Sequence, residues 1–162
     1  SHLLHNGVNA SDIGIITPYA GQQSFLVENL ASYCGDIDGQ IIEDVEIASV
    51  DSFQGREKNF IIYSCVRAND KNYIGFLKNT HRLCVSLTRA KFGLIVIGRA
   101  ETFAKDPLWC SFVTYLQGIG CFVEGKLDQL TQSNFNPLAD TTSIPDHDEN
   151  TVDDEHEDGI LF

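Results

Sequence analysis

Four short runs of apolar residues organise the chain: Ile13-Gly14-Ile15-Ile16, Val45 to Val50, Phe60 to Val66, and Leu94 to Ile97. They are nearly continuous rather than alternating, which predicts strands covered on both faces. Helical patterns lie between and after them. The first is predicted to start at Thr17-Pro18, a capping hydroxyl followed by proline at the first helical position, and carries Phe25, Leu26, Asn29, Leu30 and Tyr33 toward Gly35. The second covers Arg82 to Ala90. The third runs from about Glu101 through Trp109 to Leu116 and breaks at Asp106-Pro107. Strands alternating with helices predict an α/β domain with a mostly parallel sheet. A four-strand sheet whose first strand lies so near residue 1 suggests that the chain begins part-way through a domain.

Between the second and third apolar runs stands Asp51-Ser52-Phe53-Gln54-Gly55-Arg56-Glu57-Lys58. This polar link is too long for a hairpin and shorter than an ordinary crossover helix of about a dozen residues. Open α/β sheets bind ligands at the carboxyl ends of their strands. Two stretches are expected there: Thr17, Pro18 and Tyr19 after the first strand, and Ser49 to Glu57 after the second. Hydroxyls and free amides in such loops suit a nucleic-acid backbone, with Tyr19 available for stacking. Taken alone, Thr17-Pro18 reads more simply as a helix cap and nothing more, and Gly55 could likewise be only a turn residue. On the helical pattern 82–90, Leu83, Leu87 and Ala90 share one face, while Arg82, Ser86 and Arg89 share another. Arginine forks suit phosphate. Surface ion pairs are the simpler reading of the same two arginines.

Composition changes this picture in two places. The 162 residues carry a net charge of -12, which argues against a nucleic-acid partner until the acids are located. Nine of the 23 acidic residues fall in 131–162, where there is no Lys or Arg, leaving 14 acids against 11 bases in 1–130. The expected division is therefore a domain over 1–130 and an acidic, disordered tail over 131–162. Solvation of the domain is the plain role for such a tail, and docking or autoinhibition the more specific one. The five cysteines are scattered without a Cys-x-x-Cys pair, so neither a metal site nor a disulfide framework is expected. No apolar run is long enough for a membrane span and no signal peptide is visible, so the chain reads as intracellular and cytoplasmic.

The blocks "GIITPYAGQ" (14–22), "EIASVDSFQGREKNFIIYSCVRAN" (46–69), "IGFLKNTHRLCVSLTRAKFGLIVIG" (74–98) and "DPLWCSFVTYLQ" (106–117) resemble, in order and spacing, the second RecA-like domain of superfamily-one helicases. Within that superfamily they are most similar to the up-frameshift RNA helicases of nonsense-mediated mRNA decay. The resemblance covers about residues 12 to 130. It implies that Arg89 is an arginine finger reaching the γ-phosphate of ATP. It further implies that Glu57 contacts the ribose, that Gln54 and Gly55 shape the loop near the phosphates, and that Arg82 belongs with this nucleotide set. Thr17, Pro18, Tyr19, Ser49, Asp51 and Ser52 would line the track for single-stranded RNA. No Gly-x-x-x-x-Gly-Lys-Ser/Thr loop is present, nor an Asp-Glu pair ending an apolar strand. ATP and Mg2+ would therefore be held mainly by a first RecA-like domain, the natural partner of this one, and this fragment alone would be inactive. Decay factors are the further partners that the resemblance implies. A DNA-directed helicase fragment, or a non-catalytic binding module built on a helicase half, is the alternative.

Overall fold

A computed structural model describes residues 1–35, 37–65 and 74–136. Its elements are α1 (His2–His5), β1 (Ile13–Thr17), α2 (Ala20–Tyr33), α3 (Gly39–Glu43), β2 (Glu46–Ser49) and β3 (Lys58–Ser64). They continue with α4 (Thr80–Leu87), β4 (Ala90–Ile97), α5 (Ala100–Phe103), α6 (Pro107–Gly118), β5 (Val123–Glu124) and β6 (Thr131–Gln132). All four predicted strands are present and form one parallel sheet in the order β2-β1-β3-β4. The α/β architecture expected of a RecA-like domain is therefore the observed one. Among the described residues no helix is long and apolar enough to cross a membrane.

Each face of the sheet has its own cover. On one, Ile16, Ala48, Ile61 and Tyr63 pack against Leu83 of α4, Phe103 of α5, and Trp109 and Val113 of α6. Trp109 is fully buried, stacks on Phe103 at 4.2 Å between centroids, and donates its indole N–H to the Leu77 carbonyl at 2.8 Å. That bond fixes the 3-10 turn Gly75–Lys78 above the sheet. On the other face, Ile13, Ile15 and Val45 are covered by Leu3 and Leu4 of α1 and Leu26 and Leu30 of α2. This second layer lies over β1 and β2. On the edge strand β4, Phe92, Ile95 and Ile97 are exposed, so full cover on both faces does not extend to the fourth run.

Two helix boundaries differ from the sequence expectation. Thr17 closes β1 and is fully buried, and α2 starts only at Ala20 after the N-cap Tyr19, because Thr17 and its backbone continue the pairing with β2. The helix expected over 82–90 runs instead from Thr80, capped by the Asn79 side chain on the Arg82 N–H, to Leu87. Arg89 consequently sits in the turn before β4 rather than on a helix face, and Ser86 is buried. The break at Asp106-Pro107 is as expected: the Asp106 carboxylate caps α6 by accepting from the Leu108 and Trp109 N–H groups.

Packed structure continues past residue 130. Thr131–Gln132 pairs with Val123–Glu124, Ser133 is buried, and Gln117 of α6 donates to the Phe135 carbonyl. Residues 137–162, on which most of the tail expectation falls, lie outside the described residues. All five cysteines are free, with Cys34, Cys65 and Cys110 buried and Cys84 and Cys121 exposed. Burial pushes the Cys65 thiol far above its ordinary value, which leaves it an unreactive core group.

The link Val50–Glu57 crosses the covered face. β2 and β3 both run parallel to β1, so the chain must return from the carboxyl end of β2 to the amino end of β3, roughly 20 Å at about 3.3 Å per residue. It does so through a turn held by Phe53 N–H to the Ser49 and Val50 carbonyls and by Arg56 N–H to the Phe53 carbonyl. Phe53 is fully buried, and a Cβ on Gly14 would meet its ring at 2.8 Å and the Ile61 Cδ1 at 2.8 Å. Gly14 thus leaves the space into which the middle of the link is plugged. Gly14→Ala should overpack this contact and lower unfolding free energy by about 1–3 kcal/mol, read as a fall in the urea midpoint at constant slope; an unchanged midpoint would show that Phe53 is not wedged.

Candidate functional site

The parallel register divides the sequence-predicted site residues between two ends of the sheet. At the carboxyl end lie Thr17, Pro18 and Tyr19 after β1, and Ser49, Asp51 and Ser52 after β2. At the amino end lie Gly55, Arg56 and Glu57 ahead of β3, and Arg89 ahead of β4, with Arg89 carbonyl accepting from the Lys58 N–H at 3.1 Å. Gln54 is exposed on the descent between them. Only the first part of the stretch 49–57 therefore sits where strand-end reasoning puts it; the rest is carried to the opposite end by the link.

At the carboxyl end the Ser49 hydroxyl accepts from the Ser52 N–H at 3.1 Å and donates to the Ser52 hydroxyl at 2.9 Å, so both oxygens are turned together at the strand tip. Asp51 receives Arg82 through two parallel bonds, Nε to Oδ1 at 3.2 Å and Nη2 to Oδ2 at 2.7 Å. The carboxylate's hydrogen bonds hold the guanidinium above its ordinary value. Arg82 thus belongs with the carboxyl-end set, near the start of α4, and not with Glu57 and Arg89. Its guanidinium also lies 5.4 Å from the Phe76 ring centroid, and Tyr19 meets the same ring edge-on at 6.0 Å. Thr17 contributes no exposed hydroxyl. It is fully buried, and its oxygen accepts from the Tyr19 N–H at 3.4 Å. Beneath this set, burial pushes the Tyr63 phenol far above its ordinary value, with Cys65 adding to the shift and the Ser86 hydroxyl opposing it.

At the amino end the decisive groups are ionic. Glu46, at the first residue of β2, holds both Arg56 and Lys58, the latter at 3.2 Å, and Lys58 also donates to the Ser11 carbonyl at 2.7 Å. The triad ties the end of the link to the start of β2 and to the turn before β1. Arg89 pairs with no carboxylate among the described residues. Its Nε bonds the Val85 carbonyl at 3.1 Å, its Nη2 the Thr88 hydroxyl at 2.9 Å, and its Nη1 reaches the Arg56 carbonyl only at 3.5 Å. Gly55, at φ 80, supplies the left-handed turn that brings Arg56 and Glu57 round to β3. Glu57 is exposed, 3.9 Å from Lys91.

A family profile described as an AAA domain matches residues 1–101. The chain belongs to this AAA domain family. Three relatives align with this chain over 127 to 130 residues. It is 47% identical over 130 residues to "Regulator of nonsense transcripts 1 homolog" of Arabidopsis thaliana, covering 80% of this chain and 10% of the relative. It is 46% identical over 128 residues to "ATP-dependent helicase NAM7" of Saccharomyces cerevisiae, covering 79% and 13%. The third, "ATP-dependent helicase upf1" of Schizosaccharomyces pombe, is 46% identical over 127 residues, covering 78% and 14%. The resemblance carried by the motif blocks is thereby shown. The chain spans about a tenth of the length of the first relative it matches.

The amino end of this AAA domain carries the Arg89 guanidinium, without a carboxylate partner among the described residues, and the exposed Glu57 carboxylate. Among the described residues no cluster of three acidic, histidine or cysteine side chains is placed to hold a metal ion. Sequence reasoning did not single out Glu46, Lys58 or Phe76. A glutamate inside an apolar run was the one visible signal for the first, and nothing local marks the other two.

Glu46 also sets a pH dependence. Burial pushes its carboxyl up, but the bonds from Arg56 and Lys58 outweigh this and hold it below the ordinary glutamate value. A depressed carboxyl contributes stability that is complete above its unfolded value and lost as pH falls through the lower folded one. Urea midpoints measured from pH 6 downward should therefore fall through the range below about 4.5, and Glu46→Gln should flatten part of that fall. A variant with the wild-type acid slope would place the linkage on other carboxylates.

Proposed function

We propose that this domain is the C-terminal RecA-like half of an ATP-dependent RNA helicase that translocates 5′ to 3′ on single-stranded RNA in cytoplasmic nonsense-mediated mRNA decay. The observation that carries the reading is the separation of two polar sets at opposite ends of one parallel sheet, joined by a single rigid link. The relatives named as ATP-dependent helicases and as regulators of nonsense transcripts support it.

In this reading the carboxyl-end set holds the RNA backbone. The Ser49–Ser52 hydroxyl pair donates to phosphates beside the loop of Thr17, Pro18 and Tyr19, and Asp51 fixes the direction of Arg82. The amino-end set faces a nucleotide bound by a first RecA-like domain, which also supplies most of the Mg2+ contacts. ATP hydrolysis there provides the free energy for the cycle. Arg89 neutralises charge on the terminal phosphate, its guanidinium oriented by Val85 and Thr88 and without an acidic partner among the described residues. Glu57 accepts from the ribose, and Gln54 and Gly55 set the path of the loop beside it. Any displacement of Glu57 or Arg89 is passed along Val50–Glu57 to Asp51 and Ser52, because Phe53 keeps that link from buckling. The domain alone does not hydrolyse ATP. Decay factors are its further partners.

Joined to a domain carrying the phosphate-binding loop, Arg89→Ala should lower RNA-stimulated ATP turnover by about a hundredfold or more while leaving RNA affinity within about twofold. Unchanged turnover would make Arg89 a structural residue and remove the nucleotide from this end. Affinity for a random single-stranded RNA should also fall steeply between about 50 and 200 mM salt, as phosphate contacts require. Salt-insensitive binding would count against the carboxyl-end track.

A further inference from the structure

We propose that Phe76 is a base-stacking residue, its ring taking one nucleobase of the single strand beside the phosphate contacts of Ser49 and Ser52. The inference rests on the carboxyl-end strand track and adds to it a contact with a base rather than with the backbone. Phe76 is 56% exposed although it lies in the tightly hydrogen-bonded turn Gly75–Lys78. An exposed phenylalanine is unremarkable by itself. This one is mounted. The next residue, Leu77, is buried and its carbonyl is held by the Trp109 indole, while the Phe76 carbonyl accepts from the Asn79 N–H at 3.2 Å. Tyr19 meets the ring in a T-shaped contact with centroids 6.0 Å apart, and the Arg82 guanidinium, itself held by Asp51, lies over it at 5.4 Å.

The ring is thus oriented from two sides by partners that belong to the loop after β1 and to the start of α4, and it still presents much of its surface to solvent. A cation over one side of an aromatic ring leaves the other available for a π-system. Bases stack on such rings without sequence preference, since every base has a π-face. The polar groups for adjacent phosphates are already present at the tip of β2. The carboxyl-end set as read from the sequence had backbone contacts and one tyrosine; in the structure Tyr19 serves as the edge support of a ring that sequence analysis did not single out.

The test uses the 162-residue chain and fluorescein-labelled oligouridylate, either intact or with one abasic position moved along it, with affinity read by anisotropy over a salt series. Phe76→Ala should weaken intact-strand binding about tenfold, with the salt slope unchanged because no phosphate contact is lost. One abasic position should weaken wild type by a similar factor and Phe76→Ala hardly at all, and Phe76→Trp should bind at least as tightly as wild type. Phe76→Leu, which keeps the apolar packing and should melt within a few degrees of wild type, should behave as Phe76→Ala. Equal abasic penalties in wild type and both variants would overturn the stacking role alone. Wild type that binds no oligonucleotide at any salt concentration would overturn the strand track and this inference with it. An altered salt slope in Phe76→Leu would show that the ring acts by positioning Arg82 for phosphate, and would likewise overturn stacking.

Discussion

The wedging of Phe53 over Gly14 is the contact on which the rest of the structure depends. A parallel β2–β1–β3 arrangement obliges the chain to return the length of the sheet, and Val50–Glu57 is too short to do so as a helix with a face of its own. Its stability comes instead from one fully buried aromatic ring sunk between β1 and β3, where the missing Cβ of Gly14 leaves room. Burial of a phenylalanine contributes roughly 1.5–3 kcal/mol, enough, with the buried Val50 at the start of the link, to hold a segment whose remaining side chains are polar. The polar residues on either side of Phe53 are thereby delivered to opposite ends of the domain by a strut with little freedom to change length.

The ionic contacts at the two ends position groups more than they stabilise the fold. Exposed pairs such as Arg82–Asp51 are typically worth no more than about 1 kcal/mol. Their geometry carries more weight than their energy. The two-point bond between Arg82 and Asp51 joins the start of α4 to the tip of β2, and the Glu46–Arg56–Lys58 triad joins the end of the link to the start of β2. Trp109 performs the corresponding task for the turn Gly75–Lys78 from inside the core, where a stacked indole and a buried hydrogen bond are far harder to exchange for water.

Much of the fold was legible because parallel strands are buried and buried strands are apolar without interruption. The same logic failed where burial did. β4 reads like the other strands, yet Ile95 and Ile97 are exposed, since an edge strand has a neighbour on one side only and the α1–α2 layer lies over β1 and β2. Thr17-Pro18 reads as a cap and first helical residue, yet the ladder to Ser49 extends β1 through Thr17 and delays the helix to Ala20. Arg82 and Arg89 read as one face of one helix. Asn79 starts that helix early and the approach of β4 to β3 ends it at Leu87, so the two arginines go to different ends of the sheet.

The sequence by itself determined the α/β class, the four strands, the break before Trp109, and which residue types were available for phosphate, because these depend on local apolar burial, capping chemistry and motif identity. Only the tertiary structure decided which of those residues face each other. Strand order and the direction of the Val50–Glu57 link put Asp51 beside Arg82 and Arg56 beside Arg89, pairs separated by 31 and 33 positions along the chain. The same ordering made Phe76 a neighbour of Tyr19. Such contacts are set by how parallel strands stack sideways and how one aromatic ring finds the gap above a glycine, and no local period in the sequence records either.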